Sequence, residues 1–304
     1  MNTRKRSYKI FRMTALGILT IVVFSVTIIT SYQYLRVTLA APYTPASMPL
    51  NLEIVGSGDK DLVFIQGLTG SKNYWKRDLD AISGTHKLLL VDLLGFGDSP
   101  KPNSDYSLEM QVGALEAIIS KEGFDGGRTV LVSHSMGTVI ALALLEKHPD
   151  WFKGAIAIGT PVYRDMEEFN DIMSEHSLFD RLTANKYSKY LCLLHPIFMT
   201  RIFKPDNLSD EVFADANKHT WQSYYNSLNE IILDTDLYAI ARNIGNKKVV
   251  FIHGDQDTTA PLVNAVKLAN TVSNAEFLTV NGGDHQLFLK DPNIVWKAVT
   301  DFFG

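Results

Sequence analysis

Cysteine is nearly absent from this 304-residue chain, and the single Cys192 cannot close an intramolecular disulfide. It lies in an apolar run and reads as a small buried hydrophobe, which leaves the redox compartment open. An excess of basic charge is missing as well: the formal net charge is -4 and no basic cluster occurs beyond the first twelve residues. That excludes the electrostatic footprint of a nucleic-acid binder. No grouping of His, Cys and carboxylates has metal-ligand spacing, and Gly95 and Gly97 lack the strand-to-helix setting of a nucleotide fingerprint, so neither a metal nor another cofactor is expected. Internal repeats and low-complexity segments are missing too. What is present is a 46% apolar composition, ample for the core of one large α/β domain or two small ones.

The first fifty residues follow a logic of their own. Residues 1–12 form a basic tail with Arg4, Lys5, Arg6, Lys9 and Arg12, and residues 13–35 carry no ionised side chain. A helix needs about 20 such residues to cross a hydrocarbon core, so this stretch can span. The basic residues precede it and only Arg36 follows closely, which places the N-terminus in the cytoplasm and the bulk of the chain on the extracytoplasmic side. Tyr32 and Tyr34 fall near the outer interface. A cleavable signal peptide ending near Leu39-Ala40-Ala41 is the rival, with secretion as its consequence, but the apolar core is long for a signal and the small residues lie well beyond it. A buried helix of a soluble fold is the weaker rival. Residues 36–49, with Pro42, Pro45 and Pro49, read as an extended tether.

From residue 50 onward, short apolar runs alternate with turn residues and helical patterns. The runs at 62–66, 87–92, 129–133, 154–158, 247–253 and 276–280 are nearly continuous, as strands buried on both faces of a parallel sheet require. Residues 107–122 place Leu108, Val112, Leu115 and Ile119 at helical spacing, and 136–147 is apolar almost all round. Residues 162–243 break the alternation. They hold no strand-like run and many aromatics and methionines, among them Tyr163, Phe169, Met173, Phe179, Tyr187, Tyr190, Phe198, Met199, Phe203, Trp221 and Tyr224, and read as a helical insertion into a core of 50–161 and 244–304.

The strongest chemical signal is Ser133-His134-Ser135-Met136-Gly137 between a strand and an apolar helix. A serine on such a turn is pushed out above the sheet, and the N–H groups opening the helix favour a developing oxyanion. The turn demands small residues on either side, which Ser133 and Gly137 supply, although Gly is the usual residue at the first of these positions. A serine hydroxyl needs a base, and the base needs an orienting acid. Asp257, after the run at 247–253, and His285, after the run at 276–280, follow the serine in that order, with Asp255 as the competing acid. The glycine turn Gly67-Leu68-Thr69-Gly70 completes the set, the Leu68 N–H joining that of Met136 as an oxyanion hole.

In these motifs, and in Asp92-Leu93-Leu94-Gly95-Phe96-Gly97-Asp98-Ser99, the chain from 50 to 304 resembles the α/β-hydrolase superfamily of esterase-like and lipase-like serine hydrolases. The resemblance implies an α/β fold with a mostly parallel central sheet flanked by helices and an inserted helical cap, preceded here by one N-terminal transmembrane helix. It implies that Asp92 belongs to a structural turn, that Gln66 replaces a customary His, and that 162–243 roofs the site. Relatives with dehalogenase or epoxide-hydrolase chemistry carry aspartate where Ser135 stands, so the expected activity is hydrolysis of carboxylic esters, including lipid or other hydrophobic acyl esters, through an acyl-enzyme. A carbon–carbon bond hydrolase of the same fold and a catalytically silent, membrane-tethered binding protein are the alternatives. The expected partners are a small-molecule or lipid ester and a membrane, with no nucleic acid.

Overall fold

A computed structural model of the chain describes residues 2–175, 190, 192–194, 204 and 208–304. Seven strands form one sheet: β1 (Leu52–Val55), β2 (Lys60–Ile65), β3 (His86–Val91), β4 (Thr129–His134), β5 (Phe152–Ile158), β6 (Lys248–Gly254) and β7 (Ala275–Val280). Their order is β1-β3-β2-β4-β5-β6-β7. Every pairing is parallel except β1 with β3, an antiparallel edge in which Leu52 faces Val91. β1 is an addition to the six strands expected from the apolar runs. It is short, only partly buried, and interrupted by Glu53, so no apolar run marks it.

Alternation along the strands divides the core in two, because successive side chains point to opposite faces. Leu62 and Phe64, Leu88 and Leu90, Val130 and Val132, Ile156 and Ile158, and Val250 and Ile252 pack on one face. Val63, Ile65, Leu89, Val91, Leu131, Ala155, Ala157, Val249 and Phe251 pack on the other. On this second face the helix Met136–Lys147 lies against the sheet, buried from Met136 through Leu145, with the small Ala155 and Ala157 beneath it. The helix Leu108–Lys121 runs beside it, opened by Ser107, whose Oγ accepts from the Met110 N–H at 3.4 Å.

The chain passes from β2 to β3 in one direction and then crosses back over β2 to β4. The C-terminal ends of β2 and β4 therefore flank the point where strand order reverses, the crevice in which open α/β sheets bind ligands. Between β5 and β6 the described residues form the helices Met166–Glu175, Asp210–Ala216, Trp221–Ser227 and Leu237–Asn243 and the π-helical turn Leu228–Leu233. Phe179, Tyr187, Phe198, Met199 and Phe203 lie outside the described residues. Cys192 is buried, and burial pushes its thiol up to about 12.

The N-terminal helix runs over Asn2–Thr38, and Tyr8–Thr38 is long and apolar enough to cross a membrane. Its C-terminal end does not lead into a free tether. Val37 is buried, Tyr43 packs on the core, the Asn103 N–H donates to the Ala41 carbonyl at 3.1 Å, and Pro42 and Asn103 form a β-bridge. Three prolines remove donors without preventing the chain from lying extended along the domain surface.

Candidate active site

Ser135 follows β4 and precedes the helix Met136–Lys147 with φ +50° and ψ -125°, a conformation that a non-glycine residue adopts at a cost of about 1–3 kcal/mol. Its surroundings hold it there. The Ser135 N–H donates to the Ile158 carbonyl at 2.9 Å, and the Ser135 carbonyl accepts from the Thr138 N–H and Thr138 Oγ1, each at 2.7 Å. A Cβ on Gly137 would lie 2.5 Å from the Ile65 oxygen and 2.6 Å from that of Gln66, so only glycine fits the close approach of helix and strand. Ser133 fits in place of the customary glycine because its hydroxyl donates to the Ile156 carbonyl on β5 at 3.1 Å.

The loops after β6 and β7 bring the other two residues to this serine. His285 Nε2 lies 2.9 Å from Ser135 Oγ, and His285 Nδ1 lies 2.8 Å from Asp257 Oδ2. The Asp257 carboxyl group is fully buried. Its Oδ1 accepts from the N–H groups of Thr259 and Ala260 at 2.9 and 2.8 Å, and its Oδ2 lies 3.3 Å from His253 Nε2. Burial alone would raise its pKa, but the hydrogen bonds from His253, His285 and Ala260 and the charge on His285 together hold it well below the usual carboxylate range. Asp255, the competing acid, turns outward to accept from the Gly282 N–H at 2.7 Å. Geometry thus selects Asp257 as the partner of His285.

His134, inside the motif but given no role by it, is a further residue of this site. It is buried beneath the His285 ring, centroid to centroid 4.8 Å, and its Nε2 donates to the His285 carbonyl at 2.8 Å. That bond fixes its tautomer and ties the loop carrying His285 to the residue preceding Ser135. Burial, reinforced by the neighbouring His285, pushes its pKa down to about 3, so the imidazole is neutral. Its Nδ1 has no hydrogen-bond partner and faces Gly67, where a Cβ would approach it to 3.0 Å.

The turn after β2 is closed by the Gly70 N–H donating to the Gly67 carbonyl at 3.0 Å, with Thr69 at φ +62°. It sets Leu68 over the same cavity that Ser135 enters. Met136 is the first residue of its helix, where the N–H has no intrahelical acceptor. Gln66 is fully buried and its amide bridges to β3, donating to the Val91 carbonyl at 2.5 Å and accepting from the Leu93 N–H at 2.7 Å. The Asp92 carboxylate accepts from the N–H groups of Lys72 and Asp98 and from Asn51 Nδ2, which makes it the knot of a structural turn.

Ser135 and His285 open into a cavity of about 350 Å³. Phe169, Met173, Tyr224, Leu228 and Ile232, from the segment between β5 and β6, make one part of its wall apolar, while Thr258, Thr259 and Gln286 contribute polar lining. Tyr163 spans the two, its OH donating to the Thr259 carbonyl at 2.7 Å and its ring edge on Phe169. The cavity therefore suits a molecule with a hydrophobic arm and a polar centre.

The sequence profile described as the α/β hydrolase fold matches residues 61–292. The chain belongs to this family. It is similar to Probable lysophospholipase BODYGUARD 1 of Arabidopsis thaliana, 25% identical over 281 residues that cover 79% of this chain and 60% of that protein. The chain thus spans about three-fifths of the length of such relatives. It is also similar to 2-(acetamidomethylene)succinate hydrolase of Mesorhizobium japonicum, 23% identical over 270 residues covering 83% of this chain and 91% of the relative. Among solved structures, an ancestral haloalkane dehalogenase superposes with a TM-score of 0.68 at 19% identity, over 83% of this chain and 94% of its own. At that identity the superposition establishes the α/β-hydrolase fold alone.

Proposed function

We propose that this α/β hydrolase cleaves carboxylic esters through an acyl-enzyme on Ser135, with Asp257 and His285 as its acid and base. The observation that carries the reading is the continuous hydrogen-bond chain from buried Asp257 through His285 to Ser135 Oγ at the mouth of a half-apolar cavity. His285 Nε2 takes the Ser135 proton as Oγ adds to the ester carbonyl, and Asp257 steadies the imidazolium. The Leu68 and Met136 N–H groups receive the oxyanion. Collapse expels the alcohol, which leaves with the proton from His285, and water then attacks the acyl-enzyme with His285 as base.

The apolar wall supports a hydrophobic acyl group, and the lysophospholipase names of several relatives point to a monoacyl lipid ester. The segment 162–243 acts as the cap that shapes this wall, and the helix Tyr8–Thr38 as a retained membrane anchor with the domain on the extracytoplasmic side. A short-chain p-nitrophenyl ester and a fluorophosphonate probe test the nucleophile. Wild-type protein turns over the first and is labelled by the second. Ser135→Ala does neither, and labelling that persists in this variant sinks the assignment.

A further inference from the structure

The N-terminal helix ends against a helix that contributes to the cavity wall. Tyr34 stacks on Trp221 with ring centroids 5.9 Å apart and planes 9° from parallel, a favourable aromatic geometry. Trp221 opens the helix Trp221–Ser227, whose Tyr224 lines the cavity, and the π-helical turn that follows supplies Leu228 and Ile232. Asn103 locks the junction: its N–H bonds the Ala41 carbonyl, its Nδ2 the Thr38 carbonyl at 3.4 Å, and its Oδ1 accepts from Gln222 Nε2 at 2.9 Å. Helix, loop and cavity wall thus form one clasp.

The position of the clasp relative to a bilayer follows from helix length. The 23 uncharged residues at 13–35 extend about 34 Å at 1.5 Å per residue, against a hydrocarbon core of about 30 Å. Tyr34 and Arg36 then fall at the headgroup level, the depth that Tyr and Trp prefer. Trp221, stacked on Tyr34, is held at that level too. Leu39, just past the helix, leaves 78% of its surface exposed.

We infer that the clasp seats the cavity wall at the membrane surface, so that the enzyme draws its ester, a membrane-resident amphiphile, from the bilayer in which it is anchored. This inference rests on the ester-hydrolase and anchor readings above. It assigns Tyr34, Trp221 and Asn103 an orienting role that a flexible tether could not perform.

The full-length protein is reconstituted in phosphatidylcholine vesicles containing a long-chain 4-methylumbelliferyl ester, with p-nitrophenyl butyrate as the water-soluble substrate. A ten-residue Gly-Ser insertion after Thr38 keeps the span and frees the domain. It is expected to lower turnover of the vesicle ester about tenfold, as orientation gives way to a free tether, while leaving butyrate turnover unchanged. Tyr34→Ala is expected to fall in the same direction. An insertion variant that retains the full vesicle rate overturns the inference. Loss of butyrate turnover in the wild-type protein would instead count against the ester reading. A second measurement is independent of catalysis: brominated lipids quench tryptophan fluorescence near the headgroups, and the quenched fraction is expected to drop in Trp221→Phe. Identical quenching in both proteins places Trp221 away from the bilayer and overturns the inference whatever the activity.

Discussion

Asp257 and Asp255 sit two residues apart on one loop, yet one is buried among three hydrogen-bond donors with His253 Nε2 close by, and the other turns toward solvent. Asp257→Asn should lower kcat by about four orders of magnitude, because the amide no longer orients the imidazole or stabilises its cation. Asp255→Asn keeps an oxygen for the Gly282 N–H and should leave kcat unchanged in the same assay. His134 makes a different prediction, about pH and stability. An ordinary histidine titrates near about 6.5, whereas the native His134 holds out to about 3. Between those values the unfolded chain binds a proton that the folded chain refuses, so its contribution is complete above about pH 6.5 and falls as pH drops, by at most about 1.4 kcal/mol per unit. Asp257, with its pKa depressed, adds its own loss only below about pH 4. Melting temperature against pH should therefore slope less between about pH 6.5 and 5 in His134→Gln than in wild type. Ser135, His285 and Asp257, the residues proposed as serine, base and acid, could be picked out together because each follows a recognisable strand in a fixed order. The part played by His134 could not, since its bond to the His285 carbonyl joins residues 151 apart in sequence.

At the scale of elements, the strand-to-helix turn constrains its sequence tightly. Gly137→Ala would drive a methyl group into two carbonyl oxygens of the neighbouring β2 segment, and no flexible side chain is there to yield. The variant should lose hydrolase activity and melt at a lower temperature, both measurable on purified protein. Five of the seven strands could be read from apolar runs because a parallel sheet buries both faces and so demands unbroken hydrophobicity, whereas β7 is a partly exposed edge strand recognised from its β-rich run alone. β1 could not, since an antiparallel edge strand needs apolar side chains only on its inward face and has only four residues in which to show them. The π-helical turn Leu228–Leu233 was equally hidden: an extra residue in a helical turn leaves no periodic trace in six residues, although it delivers Leu228 and Ile232 to the cavity. Packing of 36–49 on the domain was masked by prolines, which look the same in a free linker and in a docked one.

For the whole molecule, the N-terminal helix meets the domain through the Tyr34–Trp221 stack, and Val37 is buried with the folded unit. A chain starting at Arg36 should leave the membrane fraction on lysis without detergent and hydrolyse p-nitrophenyl butyrate at the full-length rate. A marked fall in that soluble rate would show that the helix supports the cavity as well as placing it. On the proposed seating of the cavity at a membrane, the stacked Tyr34–Trp221 pair also sets the units in which this hydrolase is to be measured. A cavity held against a surface samples a two-dimensional density of substrate, so its saturation is governed by the mole fraction of ester in the bilayer. Diluting that ester with inert phospholipid slows it; adding more vesicles of the same composition does not speed it.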